Sequence, residues 1–190
     1  MSVRVACLAG AALLVAACGE KPVETAAPAE PVQAEPVTPA TPAANTLTAE
    51  EQAAGWKLLF NGTDLAGWKG YKKDAPGATW VVEDGTLALT AGGAGDIMTV
   101  EEYGPFELSL DWKISPNGNS GIIYLIREDP SSANTYNSGP EMQVLDNDDH
   151  ADGKIPWHRA GALYDIETPP DGVVKPVGEW NIAVVRFTGS

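Results

Sequence analysis

The stretch Phe106-Glu107-Leu108-Ser109-Leu110-Asp111-Trp112-Lys113-Ile114 alternates strictly between apolar and polar side chains. In an extended chain successive side chains point to opposite faces. Phe106, Leu108, Leu110, Trp112 and Ile114 therefore line one face, and Glu107, Ser109, Asp111 and Lys113 the other. That is the pattern of a strand with one face in a core and the other in water. Working outward, segments 56–60, 80–83, 86–90, 121–126, 141–145 and 180–187 also read as strands. Turn chemistry bounds them at Asn61-Gly62, Glu83-Asp84-Gly85, Ser115-Pro116-Asn117-Gly118 and Pro169-Pro170-Asp171-Gly172. Gly121-Ile122-Ile123-Tyr124-Leu125-Ile126 is nearly apolar on both faces and reads as a central strand. No window of a dozen residues carries a helical stripe. Many short strands at this spacing predict an all-β fold, a sandwich or jelly roll. The chain stops at Phe187-Thr188-Gly189-Ser190, directly after a strand. An edge left unpaired there invites aggregation, so the reading is a domain truncated at its C-terminus.

The ends of the chain read differently from its middle. Residues 1–18 hold one basic residue, Arg4, followed by an uninterrupted apolar run from Val5 to Ala17 that closes on Val15-Ala16-Ala17-Cys18. The run is too short to cross a bilayer, which needs roughly 20 residues, but suits the apolar region of a secretory signal. Its close resembles a bacterial lipobox, which implies cleavage before Cys18, acylation of its thiol and a lipid anchor to the membrane. An ordinary cleaved signal is the alternative. With Gly19 after the cysteine, the expected location is the cell envelope, as a periplasmic or outer-membrane-anchored lipoprotein. Residues 19–54 turn to Ala, Pro, Glu, Thr and Val, with prolines at 22, 28, 31, 36, 39 and 42 and no aromatic residue. Such a segment buries too little apolar surface to offset its ordering entropy and reads as an extended tether. Within it, Thr48-Ala49-Glu50-Glu51 has the spacing of a helix capping box. The folded domain is expected over 55–190.

Charge narrows the partners. The 190 residues carry 12 Lys and Arg against 26 Asp and Glu, a net charge of −14. Setting aside Arg4, Lys21 and the six tether glutamates leaves 10 bases against 20 acids from residue 55 onward. A nucleic acid is excluded as the main partner, because binding polyphosphate needs a basic face to release counterions. Two cysteines exclude a disulfide scaffold and a multi-thiolate zinc site.

Three polar clusters are candidates for chemistry. In Glu141-Met142-Gln143-Val144, the acid and the amide share one strand face while Met142 and Val144 face the core. A carboxylate beside a cleft is desolvated and its pKa raised, which suits proton transfer near neutral pH. Asp146-Asn147-Asp148-Asp149-His150-Ala151-Asp152 offers oxygen donors of the kind calcium favours, with Asp146, Asp148, His150 and Asp152 as candidate ligands. It lacks the glycine and spacing of an EF-hand loop, so a solvated acidic loop is the preferred reading and no cofactor is required. Trp157-His158-Arg159 with Tyr164-Asp165 combines stacking surface, a titratable ring and a cation, a mixture that suits sugars. Asn119 after its turn places an amide at a sheet edge.

Taken together, six stretches resemble the 3-keto-disaccharide hydrolase family. They are Gly55-Trp56-Lys57-Leu58-Leu59-Phe60-Asn61-Gly62 with Asp64-Leu65-Ala66-Gly67-Trp68, then Trp80-Val81-Val82-Glu83-Asp84-Gly85, then Asn119-Ser120-Gly121-Ile122. They continue through Gly139-Pro140-Glu141-Met142-Gln143-Val144-Leu145-Asp146-Asn147, His158-Arg159-Ala160-Gly161-Ala162-Leu163-Tyr164-Asp165 and Pro176-Val177-Gly178-Glu179-Trp180-Asn181. The resemblance implies a concanavalin-like jelly roll whose carbohydrate cleft acts on glycosides oxidised at C3. The family continues past the last strand read here with further strands. Glu141, Gln143 and Asp146 also resemble the Glu-x-Asp-x-x-Glu signature of laminarinase-like glycosidases, with an amide in the middle and a shorter last acid. A retaining displacement needs two carboxyl groups about 5 to 5.5 Å apart, which this departure does not supply. A 3-keto sugar opens another route, because its carbonyl acidifies the C2 proton and permits elimination. The residues expected to carry it are Glu141 as base or acid, Gln143 as donor, Asp146 as second acid or cation ligand, and His158 as enolate stabiliser. Asn119, Trp157, Arg159 and Tyr164 are expected to bind the substrate. The competing readings are a carbohydrate-binding module without chemistry and a calcium-dependent adhesion domain.

Overall fold

The computed structural model describes residues 3–7 and 43–189. Cys18 and most of the tether lie outside the described residues. The strands, in chain order, are β1 (Val3–Cys7), β2 (Trp56–Leu58), β3 (Trp68–Gly70), β4 (Trp80–Glu83), β5 (Thr86–Leu89) and β6 (Ile97–Thr99). They continue with β7 (Phe106–Trp112), β8 (Asn119–Ile123), β9 (Glu141–Leu145) and β10 (Asn181–Phe187). One short helix, α1 (Ala49–Ala53), precedes β2, and 3-10 turns lie at Thr135–Asn137, Ala151–Lys154 and Pro156–His158. Every pairing between these strands is antiparallel. One sheet runs β10-β7-β1-β2, and β3-β6, β4-β5 and β8-β9 form ribbons. The predicted all-β jelly-roll class holds.

β7 is the strand the alternation predicts, with Phe106, Leu110 and Trp112 buried. It ends two residues before Ile114, where the chain closes a turn through the Gly118 amide to the Ser115 carbonyl. The core joins the large sheet to the β8-β9 ribbon. Val3, Leu110, Trp112 and Ala183 from the sheet meet Val144 and Leu145 of β9, with Phe60 and Ala160 filling between. That contact makes two layers out of the strands.

The hairpin β4-β5 turns on Asp84 (φ 48°) and Gly85 (φ 69°), with Glu83 opposite Thr86. Positive φ at both central residues gives the twist that matches the flanking strands, and Asp-Gly is the pair that adopts it. The capping box forms as its spacing predicts. The Glu51 amide donates to Thr48 Oγ1 at 3.1 Å, and the Thr48 amide to Glu51 Oε2 at 2.9 Å.

Two differences from the sequence reading stand out. The segment 121–126 is not a central strand: β8 starts at Asn119, ends at Ile123 and, among the described residues, pairs with β9 alone. The chain leaves the ribbon because Leu125 takes a left-handed backbone (φ 59°) that no strand accommodates. Second, Val3–Cys7, inside the expected leader, is a strand between β7 and β2, with Val3, Val5 and Ala6 buried.

Candidate functional site

The site is built on one face of the β8-β9 ribbon. β9 is held on both edges. On one side Gly121 lies opposite Gln143 and Ile123 opposite Glu141 in the β8 register. On the other side the loop 161–164 supplies backbone bonds. The Gln143 amide donates to the Ala162 carbonyl, the Gly161 amide to the Gln143 carbonyl and the Tyr164 amide to the Glu141 carbonyl. The loop that carries Tyr164 is thus tied to the strand that carries Glu141 by main-chain bonds, which fix both before any side chain is considered.

Glu141 and Gln143 share a face, as the alternation predicts, and Gln143 is buried with 1% of its surface exposed. Its Nε2 donates to Asn119 Oδ1 at 3.3 Å, and its Oε1 accepts from the Val144 amide at 3.1 Å. A buried amide with both ends engaged is rigid, and it leaves Asn119 with Nδ2 as its donor end. Glu141 is half-buried and lies across Gly121, where a Cβ would stand 1.7 Å from its Oε1. No other residue type fits under the carboxylate without moving it. Burial pushes the Glu141 carboxyl up from the ordinary range, and the negative charge of Asp96 adds to the push. Asp96 is itself placed by a hydrogen bond of 2.5 Å from the hydroxyl of Thr135, which is fully buried.

Beside this carboxylate lies an aromatic stack. The His158 and Tyr164 rings stack at 4.2 Å with an interplanar angle of 11°. His158 Nε2 lies 2.6 Å from Asp165 Oδ1, and Tyr164 Oη lies 3.4 Å from His158 Nδ1. The Asp165 carboxylate at Nε2 fixes the orientation of the imidazole, and the Tyr164 oxygen lies over the face of that ring, as the stack requires. Desolvation first, then the charges of Asp152, Asp165 and Glu141, raise the Tyr164 pKa and keep it a phenol. Trp157 stands exposed at the preceding 3-10 turn, with 47% of its surface accessible.

The remaining expected residues fall elsewhere. Asp146 does not face the cleft. It stands just past the end of β9, where its amide donates to the Gly118 carbonyl at 3.0 Å. Its carboxylate is buried, taking the Asn117 amide at 2.7 Å on Oδ2 and the Asp148 and Asp149 amides at 3.0 and 3.2 Å on Oδ1. The Asn117 amide, more than any other cause, holds this carboxyl below its usual range. Asp146 thus ties the 115–118 turn to the 146–149 loop.

Arg159 lines a separate cleft with Asp146, Asp148 and Pro169. His150 caps the turn at Ala151–Lys154, its Nδ1 accepting from the Asp152 amide at 3.2 Å. Among the described residues no group of three or more His, Cys, Asp or Glu side chains is arranged to hold a metal ion. Asp165 stands in the cluster with Tyr164 that the sequence pointed to, whereas Asp96 and Gly121 lie at the site without having been given a role there. A glycine inside an otherwise apolar strand is a signal of close approach and marks Gly121. Asp96 carries no such signal, because its place depends on the hydroxyl of Thr135, thirty-nine residues away.

Residues 55–190 match the family of 3-keto-alpha-glucoside-1,2-lyase-like domains. A 3-keto-disaccharide hydrolase of Bacteroides thetaiotaomicron is 36% identical over 152 residues, which are 70% of this chain and 52% of that protein. The chain therefore spans about half the length of this curated relative. The crystal structure of a candidate glycosyl hydrolase from Parabacteroides distasonis superposes with a TM-score of 0.69 at 38% identity, covering 75% of this chain and 68% of that one. The chain belongs to the family of 3-keto-alpha-glucoside-1,2-lyase-like domains.

Proposed function

We propose that this member of the family cleaves 3-keto glycosides by elimination across C1 and C2, with Glu141 as the base. A keto group at C3 acidifies the C2 proton, which a carboxylate removes. The enolate collapses to a C1–C2 double bond and expels the glycosidic oxygen, which takes up a proton as it leaves. Water then adds across the double bond to give the free 3-keto sugar, so the overall change is hydrolysis. A base for this step works best with a pKa near the working pH, and the upward push on Glu141 is in that direction. Asn119 and the buried Gln143 are the donors for hydroxyl and keto oxygens, where charge builds up on the enolate. Tyr164, kept neutral and stacked on the His158 ring that Asp165 holds, is the proton source for the departing oxygen.

The observation that carries the reading is the half-buried Glu141 carboxylate lying over Gly121, beside the Tyr164-His158 stack, in a chain of this family. Exposed Trp157 supports a sugar as the ligand, since the C–H faces of a pyranose stack on indole. The test is aglycone release from a 3-keto glycoside and from its unoxidised parent, with and without chelator. Release from the keto substrate alone is expected, and the chelator arm reports any part played by a divalent cation. Glu141→Gln should lower turnover about 10²- to 10⁴-fold, the usual contribution of a positioned base, while sugar affinity is kept. Sugar binding without release from either glycoside, by the unaltered chain, would turn the reading to a binding module.

A further inference from the structure

Asp96 is an exposed residue that the fold holds from several sides. Its carbonyl accepts from the Tyr71 amide at 3.0 Å, and the Trp80 indole Nε1 donates to the Gly95 carbonyl beside it at 2.8 Å. Its carboxylate takes the hydroxyl of the fully buried Thr135 on Oδ2. Tyr71 and Thr135 are joined in turn. The Tyr71 hydroxyl donates to the Arg127 carbonyl, the Arg127 amide to Ser138 Oγ and Ser138 Oγ to the Thr135 carbonyl, each at 3.1 Å. A closed ring of bonds thus runs from Asp96 through Tyr71, Arg127, Ser138 and Thr135 back to Asp96. It fixes the carboxylate to the segment that leads into β9 at Glu141. Asn119 lies on the other side of Glu141, bonded to Gln143. What remains free is Asp96 Oδ1: among the described residues Thr135 is the donor to this carboxylate, and no cation pairs with it.

We propose that Asp96 is a substrate-binding and specificity-determining residue, whose Oδ1 accepts a hydrogen bond from a sugar hydroxyl on the side of Glu141 away from Asn119. This deepens the 3-keto glycoside reading of the site and rests on it. A carboxylate accepts and does not donate, so a hydroxyl satisfies it, whereas a keto oxygen would set lone pairs against lone pairs. Asn119 offers the opposite, a free Nδ2 that donates. With a donor on one side of the base and an acceptor on the other, the ring lies one way round. Its C3 carbonyl turns to Asn119, C2 comes to Glu141, and C1 with its leaving group lies toward Asp96. The charge of Asp96 acts on Glu141, as it does when two carboxylates border one cleft. Because the ring of bonds has already ordered the carboxylate, little freedom is lost when the hydroxyl docks, and the contact is worth more for it.

The test is calorimetric binding of a 3-keto disaccharide and its monodeoxy analogues to the full chain carrying Glu141→Gln, with and without Asp96→Asn. With Asp96 in place, one analogue is expected to bind about 10- to 100-fold more weakly than the parent, the scale of a hydrogen bond to a charged group. With Asp96→Asn, that analogue and the parent should bind within about 3-fold of each other, since the partner of the missing hydroxyl is gone. Asparagine keeps the buried hydroxyl of Thr135 satisfied through its Oδ1 and turns Nδ2 to the cleft, a donor in place of an acceptor. A penalty unchanged by Asp96→Asn overturns the proposal. So does a series in which no analogue is weakened by about 10-fold, a result that needs no Asp96 variant to fold. Where Asp96→Asn does not fold, Thr135→Val frees the carboxylate from its anchor and should shrink the penalty at least about 3-fold, while Thr135→Ser should keep it; equal penalties in both overturn the assignment. Aglycone release by the chain with Glu141 and Asp96 intact is scored beside these. Neither binding nor release would end the glycoside reading and the Asp96 assignment together, whereas release with an unchanged penalty removes Asp96 alone.

Discussion

Replacing Gly121 by alanine tests the position of Glu141 without touching its chemistry. The new Cβ would stand 1.7 Å from Glu141 Oε1, 2.5 Å from its Cδ and 2.8 Å from its Cγ, against a floor of 3.0 Å that real Cβ atoms respect. The carboxylate must therefore move by at least about 1.3 Å, the difference between the floor and the closest approach. It can do so, because the clash is with the end of a flexible side chain and not with backbone. Alanine suits a strand better than glycine by roughly 0.5 to 1 kcal/mol, and an off-rotamer glutamate costs roughly 0.5 to 1.5 kcal/mol. The two nearly cancel, so the melting temperature should stay within about 5 °C of the wild type. Catalysis has no such compensation. A displacement of about 1 Å at a reacting group costs on the order of 100-fold, equivalent to about 2.7 kcal/mol of transition-state stabilisation. Steady-state release of aglycone from a 3-keto glycoside should show the loss in kcat more than in KM. The acidic limb of the kcat profile should also move to lower pH, because a carboxylate pushed toward water loses the desolvation that raises its pKa. Wild-type kcat in a folded Gly121→Ala chain would refute the placement of the base.

Tyr164→Phe removes the hydroxyl 3.4 Å from His158 Nδ1 and keeps the ring stack. If the phenol protonates the departing oxygen, release of a poor leaving group such as a sugar should fall about 100-fold, while release of nitrophenol, which needs no proton, should change little. Equal losses for both aglycones would remove Tyr164 from that role. Asp146→Asn should lower the melting temperature at pH 7, because one of the two oxygens that accept three backbone amides becomes a donor facing them. Asp146 is depressed in the fold, so its contribution is full above the ordinary aspartate pKa of 3.8 and is lost as pH falls through the lower folded value. Wild type and variant should therefore converge in thermal melts as acid is added, with turnover per folded molecule unaltered at neutral pH. A gap that stays constant down to acid pH would show that the carboxylate is not the source of the difference.

What could be read from the sequence was what local geometry decides. Strict alternation placed β7, and Asp84-Gly85 placed the β4-β5 hairpin, since two residues of positive φ admit few other types. β3 and β6 escaped because three residues with one glycine among them, as in Trp68–Gly70, have no period to detect. Counting faces paired Glu141 with Gln143, but Asp146 lies past the end of β9, where no period applies. The family-like triad of polar residues therefore divides, with Glu141 and Gln143 on one strand face and Asp146 anchoring the loops that follow. Asp165 was legible beside Tyr164, but Asp96, which completes the Glu141 side, arrives through the buried hydroxyl of Thr135, a contact thirty-nine residues apart that local sequence does not encode. At the N-terminus the difficulty is of another kind. A short run of β-branched and small apolar residues has the composition of both an export leader and a buried strand, and composition cannot choose between them. In the fold the choice is made by partners: Leu110 and Leu108 across one ladder, Leu58 and Lys57 across the other, and Glu51 for the one charge.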